Sequence, residues 1–82
     1  SIMIISERQS EGLDTYEVSS QSSNDSYIVA IDEDNACFCS CPDFIYRRSR
    51  DEHKYKEVCV GDTDRYCKHL LEVFKSFKGG AV

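Results

Sequence analysis

Two short pairs of metal-ligand residues stand out in this chain: Cys39-Ser40-Cys41 and Cys67-Lys68-His69, with 25 residues between them. Thiolate and imidazole are donors that suit zinc, and four protein donors fill its tetrahedral shell without leaving a position for water. The spacing also sets a condition on local structure. Residues two apart on a strand point to the same side, so Cys39 and Cys41 can converge on one ion from a strand. Residues two apart on a helix diverge by about 200° at 3.6 residues per turn. Cys67 is therefore expected just before a helix and His69 in its first turn, where the helix N-terminus favours thiolates. The competing reading is cysteine as a core filler without metal, but a core has no need of two matched pairs.

The elements that must position these pairs are legible in outline. Leu13, Tyr16 and Val18 are interleaved with polar residues, and a Ser-rich turn follows over 19–26. Tyr27-Ile28-Val29-Ala30-Ile31 is aromatic and β-branched, as strands prefer. A turn at Asp32-Glu33-Asp34-Asn35 leads into Ala36-Cys37-Phe38-Cys39-Ser40-Cys41, so three strands form an antiparallel meander. Pro42 and Asp43 suit a helix start, predicting a short helical segment over 42–48. Residues 47–56 are strongly charged and expected to be exposed; Val58 and Val60 around Cys59 suit a short edge strand. Gly61-Asp62-Thr63-Asp64 reads as a turn. Tyr66, Leu70, Val73, Phe74 and Phe77 then mark one face of a C-terminal helix, with Lys75 and Lys78 in its last turn and Gly79-Gly80 ending it. The fold class is α+β: a small β-meander or hairpin, then one helix, around one structural zinc.

The residues flanking the ligand pairs add a family resemblance. Cys-Ser-Cys-Pro-Asp-Phe at 39–44 and Cys-Lys-His-Leu at 67–70 resemble the signature of the SWIM-type zinc finger, C-x-C followed by C-x-H. The strand Tyr27-Ile28-Val29-Ala30-Ile31-Asp32 resembles the one that leads into that motif. The resemblance covers about residues 27–74 of a single domain over 1–82, with a charged insertion at about 45–64. It implies Cys39, Cys41, Cys67 and His69 as the ligands of one Zn2+, Asp43 and Phe44 in supporting positions, and Leu70 in the core of the closing helix. It also implies a β-hairpin followed by a helix, and roles in DNA or protein binding. Cys37 and Cys59 fall outside the pattern. Cys37 shares a strand face with Cys39 and Cys41, which leaves open a register using Cys37 and Cys39. Cys59 reads as a small buried apolar residue, a substitute ligand, or a disulfide partner of Cys37. His53, in the charged run, reads as solvated.

Length and composition bound the remaining possibilities. A chain of 82 residues has a marginal core and commonly needs a metal or disulfide staple. Five cysteines are an awkward count for disulfides, and Ile2-Met3-Ile4-Ile5 is too short and lacks the basic flank of a secretory leader. No run reaches the roughly 20 apolar residues that span a bilayer. The expectation is therefore an intracellular protein of the cytoplasm, nucleoid or nucleus, where thiols bind metal, with no membrane and no small-molecule substrate as partner. No enzyme is expected either: there is no P-loop, Gly-x-Ser-x-Gly, dinucleotide or deaminase motif, and four donors leave zinc no open position.

The formal charge of -5 is uneven. Residues 1–36 carry eight acids against Arg8, a balance of -7, whereas residues 37–82 carry nine bases against seven acids, a balance of +2. Arg47, Arg48, Arg50, Lys54, Lys56 and Lys68 in the basic half, with Tyr46 and Tyr55 among them, fit phosphates and stacked bases. With what the family resemblance implies, this basic run makes DNA the first expected partner. The alternative is a protein adaptor, its acidic half or an open strand edge docking a partner.

Overall fold

The computed structural model describes residues 2–19 and 24–81, the last five of them (77–81) as backbone only. Four successive strands form the antiparallel meander: β1 (Ile4–Ser10), β2 (Leu13–Ser19), β3 (Ser26–Asp32) and β4 (Ala36–Cys39). A two-residue strand, β7 (Val58–Cys59), joins the free edge of β4, so the sheet order is β1-β2-β3-β4-β7. The charged run folds as a separate small hairpin, β5 (Arg50–Asp51) with β6 (Lys54–Tyr55), and the chain closes with helix α1 (Lys68–Ala81).

Turn chemistry sets the register. Gly12 links β1 to β2 at φ 71°, a left-handed conformation that costs glycine little. A Cβ there would also lie 3.1 Å from the Glu33 carboxylate. Between β3 and β4, one Asp32 oxygen accepts the N–H groups of Asp34 and Ala36, both at 2.9 Å, while Asn35 takes the left-handed conformation that Asn tolerates. Residues 20–23 of the expected Ser-rich turn lie outside the described residues.

The resulting register pairs Tyr16 with Val29, Val29 with Cys39 and Ile31 with Cys37. Because cross-strand partners share a face, this puts Tyr16, Val18, Val29, Cys37 and Cys39 on one side, where they are buried with Phe44, Leu70 and Val73. Helix α1 packs against β3 and β4, and Tyr66 stacks on Phe74 with ring centroids 4.9 Å apart.

Four features differ from the sequence reading. The meander begins one strand earlier, because β1 pairs with β2 although its own side chains are almost all exposed. A strand at a sheet edge needs backbone partners more than an apolar face. The charged run contains a hairpin because Arg50 faces Tyr55 and Asp51 faces Lys54 across it. The segment after Pro42 widens into a π-helical turn over Phe44–Arg48, in which the Ser49 N–H reaches Phe44 O, five residues back, at 2.9 Å. Finally, α1 runs through Gly79-Gly80 to Ala81. Glycine costs a helix only about 1 kcal/mol relative to alanine, so two glycines do not by themselves stop it. The expected inward placement of Phe77 lies outside the described side chains.

Candidate metal centre

Strand β4 delivers Cys39 as its last residue, and Cys41 follows in the bend before Pro42. Cys67 is the residue before α1, and His69 sits in the first helical turn. All four are buried, and their ligand atoms lie within 4.8 Å of one another. Donors bound at about 2.0–2.3 Å to one ion stand about 3.5–3.8 Å apart, so this cluster is compatible with one zinc ion. Cys67 Sγ and His69 Nδ1 are 3.9 Å apart.

Backbone amides complete the surroundings of the sulfurs. The Phe44 N–H donates to Cys41 Sγ at 3.4 Å. The Cys41 N–H is directed at the Cys39 sulfur, and the Leu70 N–H at Cys67. Each thiol thus has one amide donor from the turn that follows it, the kind of outer contact that orients ligands and stabilises thiolate. The π-helical turn and the start of α1 therefore position the amides as well as the ligands.

The protons of the cluster are unevenly held. A hydrogen bond from the Cys39 thiol, helped by the Leu70 N–H, holds Cys67 well below the usual thiol range. Cys39 is pushed far up by serving as that donor and by burial, and Cys41 is pushed up chiefly by burial. Three adjacent thiolates repel one another, so without a cation the pocket favours a single negative charge. A divalent ion removes that penalty and lets all three sulfurs ionise.

His69 carries a second indication. Its ring is buried against Tyr27, with centroids 5.0 Å apart, and Nε2 has no hydrogen-bond partner among the described residues. Burying an imidazole with an unmet nitrogen is costly in a purely apolar core. The ring nitrogen beside the sulfurs is Nδ1, 3.9 Å from Cys67 Sγ, and with the three thiols it completes a donor set that fits the ion.

Cys37 lies outside the cluster, which removes the shifted register: its face is the same as that of Cys39, but β4 carries it away from the helix start. Its thiol is pushed up to about 11, first by burial and then by Cys59, Asp62 and Asp32. Cys37 pairs with Val58, and Cys59 with Ala36, so the two cysteines face opposite sides of the sheet. A disulfide between them does not fit this register, and both thiols are free. Cys59 is half-buried and is not a fifth ligand. His53 is exposed at the hairpin tip.

The candidate nucleic-acid residues are divided by the fold. Arg47, Arg50, Lys54, Lys56 and Lys68 are exposed. Arg48 instead pairs with Asp43 at 3.1 Å and donates to Asp64 O, which bridges the π-helical turn to the segment before α1. Arg50 reaches the His53 carbonyl at 3.4 Å. Arg65 has a role that sequence reasoning missed. Its guanidinium donates to the carbonyls of Glu57, Lys56 and Arg48, clamping the charged insertion to the approach of the helix. Its only signal was arginine's five-donor fork two residues before Cys67, which says nothing about carbonyls brought near by folding.

Compared with known proteins, the chain matches no family model, no curated protein and no solved structure. Among the described residues no helix is long and apolar enough to cross a membrane.

Proposed function

We propose that Cys39, Cys41, Cys67 and His69 hold one structural zinc ion in a SWIM-type arrangement, making the chain a metal-stapled recognition module rather than an enzyme. The observation that carries this is the buried convergence of four ligand atoms within 4.8 Å at the junction of β4 and α1. A four-donor set leaves no vacant position for substrate or activated water. The ion would join two segments 25 residues apart, and zinc bound this way contributes on the order of 10–16 kcal/mol in small fingers near neutral pH. Free thiols in this number suit a reducing, intracellular compartment.

The surface favoured for recognition is the basic half, and nucleic acid is the partner that fits it. Arg47, Lys54, Lys56 and Lys68 are exposed around the insertion and helix start, beside the exposed rings of Tyr46 and Tyr55. Guanidinium and ammonium groups meet phosphates, and the tyrosines offer stacking faces.

Native mass spectrometry tests the metal, with one zinc per folded chain as the expected result. Cys39→Ala and His69→Ala should lose zinc and fold together, read by circular dichroism; a variant that stays folded and metal-free would refute the structural role. A gel-shift titration with DNA at low and high salt tests the partner. Binding that weakens steeply with salt is expected, and no shift at low salt rejects the nucleic-acid reading.

A further inference from the structure

The helix and metal centre cover only one side of the sheet. On the opposite face, the register sets Ala30 between Thr15 and Phe38, and Ile28 beside Glu17. The outer face of an antiparallel sheet is ordinarily polar. Here Leu13, Ile28 and Phe38 remain 39%, 43% and 44% exposed, although one edge of Phe38 meets the Phe44 ring, and Tyr55 of the small hairpin, 73% exposed, flanks the groove of Leu13 and Phe38. Single exposed apolar residues need no explanation, but a contiguous set across three strands marks a contact surface.

The charge of this groove selects its occupant. Asp32 and Glu57 line it beside Phe38; a second groove on the same face holds Glu17, which already accepts the Ser26 hydroxyl at 2.7 Å, and Arg8 beside Ile28, and Arg8 is the one cation among the residues lining the two. A second copy of the chain would bring like charges together, and a phosphate backbone would meet the same repulsion. From Leu13 to Glu17 the face runs about 14 Å along β2, and from β2 to β4 it is about 10 Å wide. Those dimensions suit one short helix or extended segment lying across the strands.

We infer that the outer sheet face is a docking site for a short segment of a partner protein in which lysine or arginine alternates with large apolar side chains. The apolar side chains seat on Ile28 and Phe38, and the cations meet Glu17, Asp32 and Glu57. This surface is opposite the metal centre and meets the proposed nucleic-acid surface only at Tyr55, on its edge.

The test is a selection of displayed random short peptides on the full chain, with zinc content and circular dichroism checked on the same samples. Enriched peptides should combine lysine or arginine with leucine, isoleucine or phenylalanine, and their amide footprint should fall on β2, β3 and β4. Ile28→Thr keeps a β-branched residue in the strand and should weaken a selected peptide about tenfold. Glu57→Lys, which alters only an exposed side chain, should weaken basic peptides by a comparable factor and so keeps the test decisive if Ile28→Thr unfolds. Enrichment of acidic or uncharged peptides, a footprint elsewhere, or no enrichment overturns the inference. Self-association abolished by Ile28→Thr, or single-stranded DNA competing for these strands, assigns the face to another occupant and overturns it equally.

Discussion

At the scale of single residues, proton bookkeeping in the cluster has a measurable consequence. Cys67 is the one sulfur held low, by the Cys39 thiol and the Leu70 amide, while Cys39 and Cys41 are held high. In the metal-free protein these shifts oppose each other. The contribution of Cys67 is fully present above its ordinary thiol pKa and is lost as pH falls through its depressed folded value. Cys39 and Cys41 contribute below their ordinary pKa, and that contribution is lost as pH rises through their raised values. Zinc binding must expel the protons of Cys39 and Cys41. Apparent zinc affinity should therefore fall about a hundredfold per pH unit between about pH 8 and pH 6, as measured by competition with a chelator. A flat profile would mean that those two sulfurs are not ligands.

Arg65 gives a second prediction at this scale. Its guanidinium holds three carbonyls from the insertion and the π-helical turn. Arg65→Met keeps the apolar stem but abandons those acceptors, and should cost about 1–3 kcal/mol in denaturant unfolding. Lysine at that position cannot reproduce the fork, so Arg65→Lys should recover little of the loss.

Elements explain why the ligands meet. Strand alternation brings Cys39 to the core face, the turn at Pro42 carries Cys41 toward the helix start, and beginning α1 at Lys68 leaves Cys67 free of helical geometry. The insertion between them is the weakest element. Its hairpin turns at Glu52 and His53, both in the left-handed region at φ 49° and 71°, without the glycine that such turns prefer. His53→Gly should therefore stabilise the protein by about 0.5–1 kcal/mol in thermal unfolding, since a left-handed non-glycine residue costs about 1–2 kcal/mol and glycine gives back part of that gain in the unfolded chain. Faster amide exchange in the hairpin than in β2 and β3 is expected for the same reason, because its four strand residues are all exposed.

For the whole molecule, the uneven charge and the one-sided core belong together. The acidic strands and the basic insertion lie on one small framework, with the helix and candidate ion between the sheet and the solvent on one side only. DNA binding through the exposed cations and peptide docking on the outer face should differ in their response to salt. The first should weaken steeply, whereas the second, anchored by apolar contacts, should weaken much less. One titration series with each ligand on the zinc-loaded chain separates them.

The ligand spacing, the strand-then-helix order and the charge asymmetry were all legible in the sequence, because each is a local pattern of residue types. Alternation along β4 identified a face shared by Cys37, Cys39 and Cys41 but could not choose between them. That choice required α1 to arrive beside Cys39 and Cys41, which depends on long-range packing. Likewise, only the pairing of Cys37 with Val58 sets Cys59 on the opposite face. The carbonyls gathered by Arg65 and the open apolar face of Ile28 and Phe38 come from distant segments placed side by side. One-dimensional periodicity reports which side of an element is apolar; what covers that side is decided by tertiary contacts.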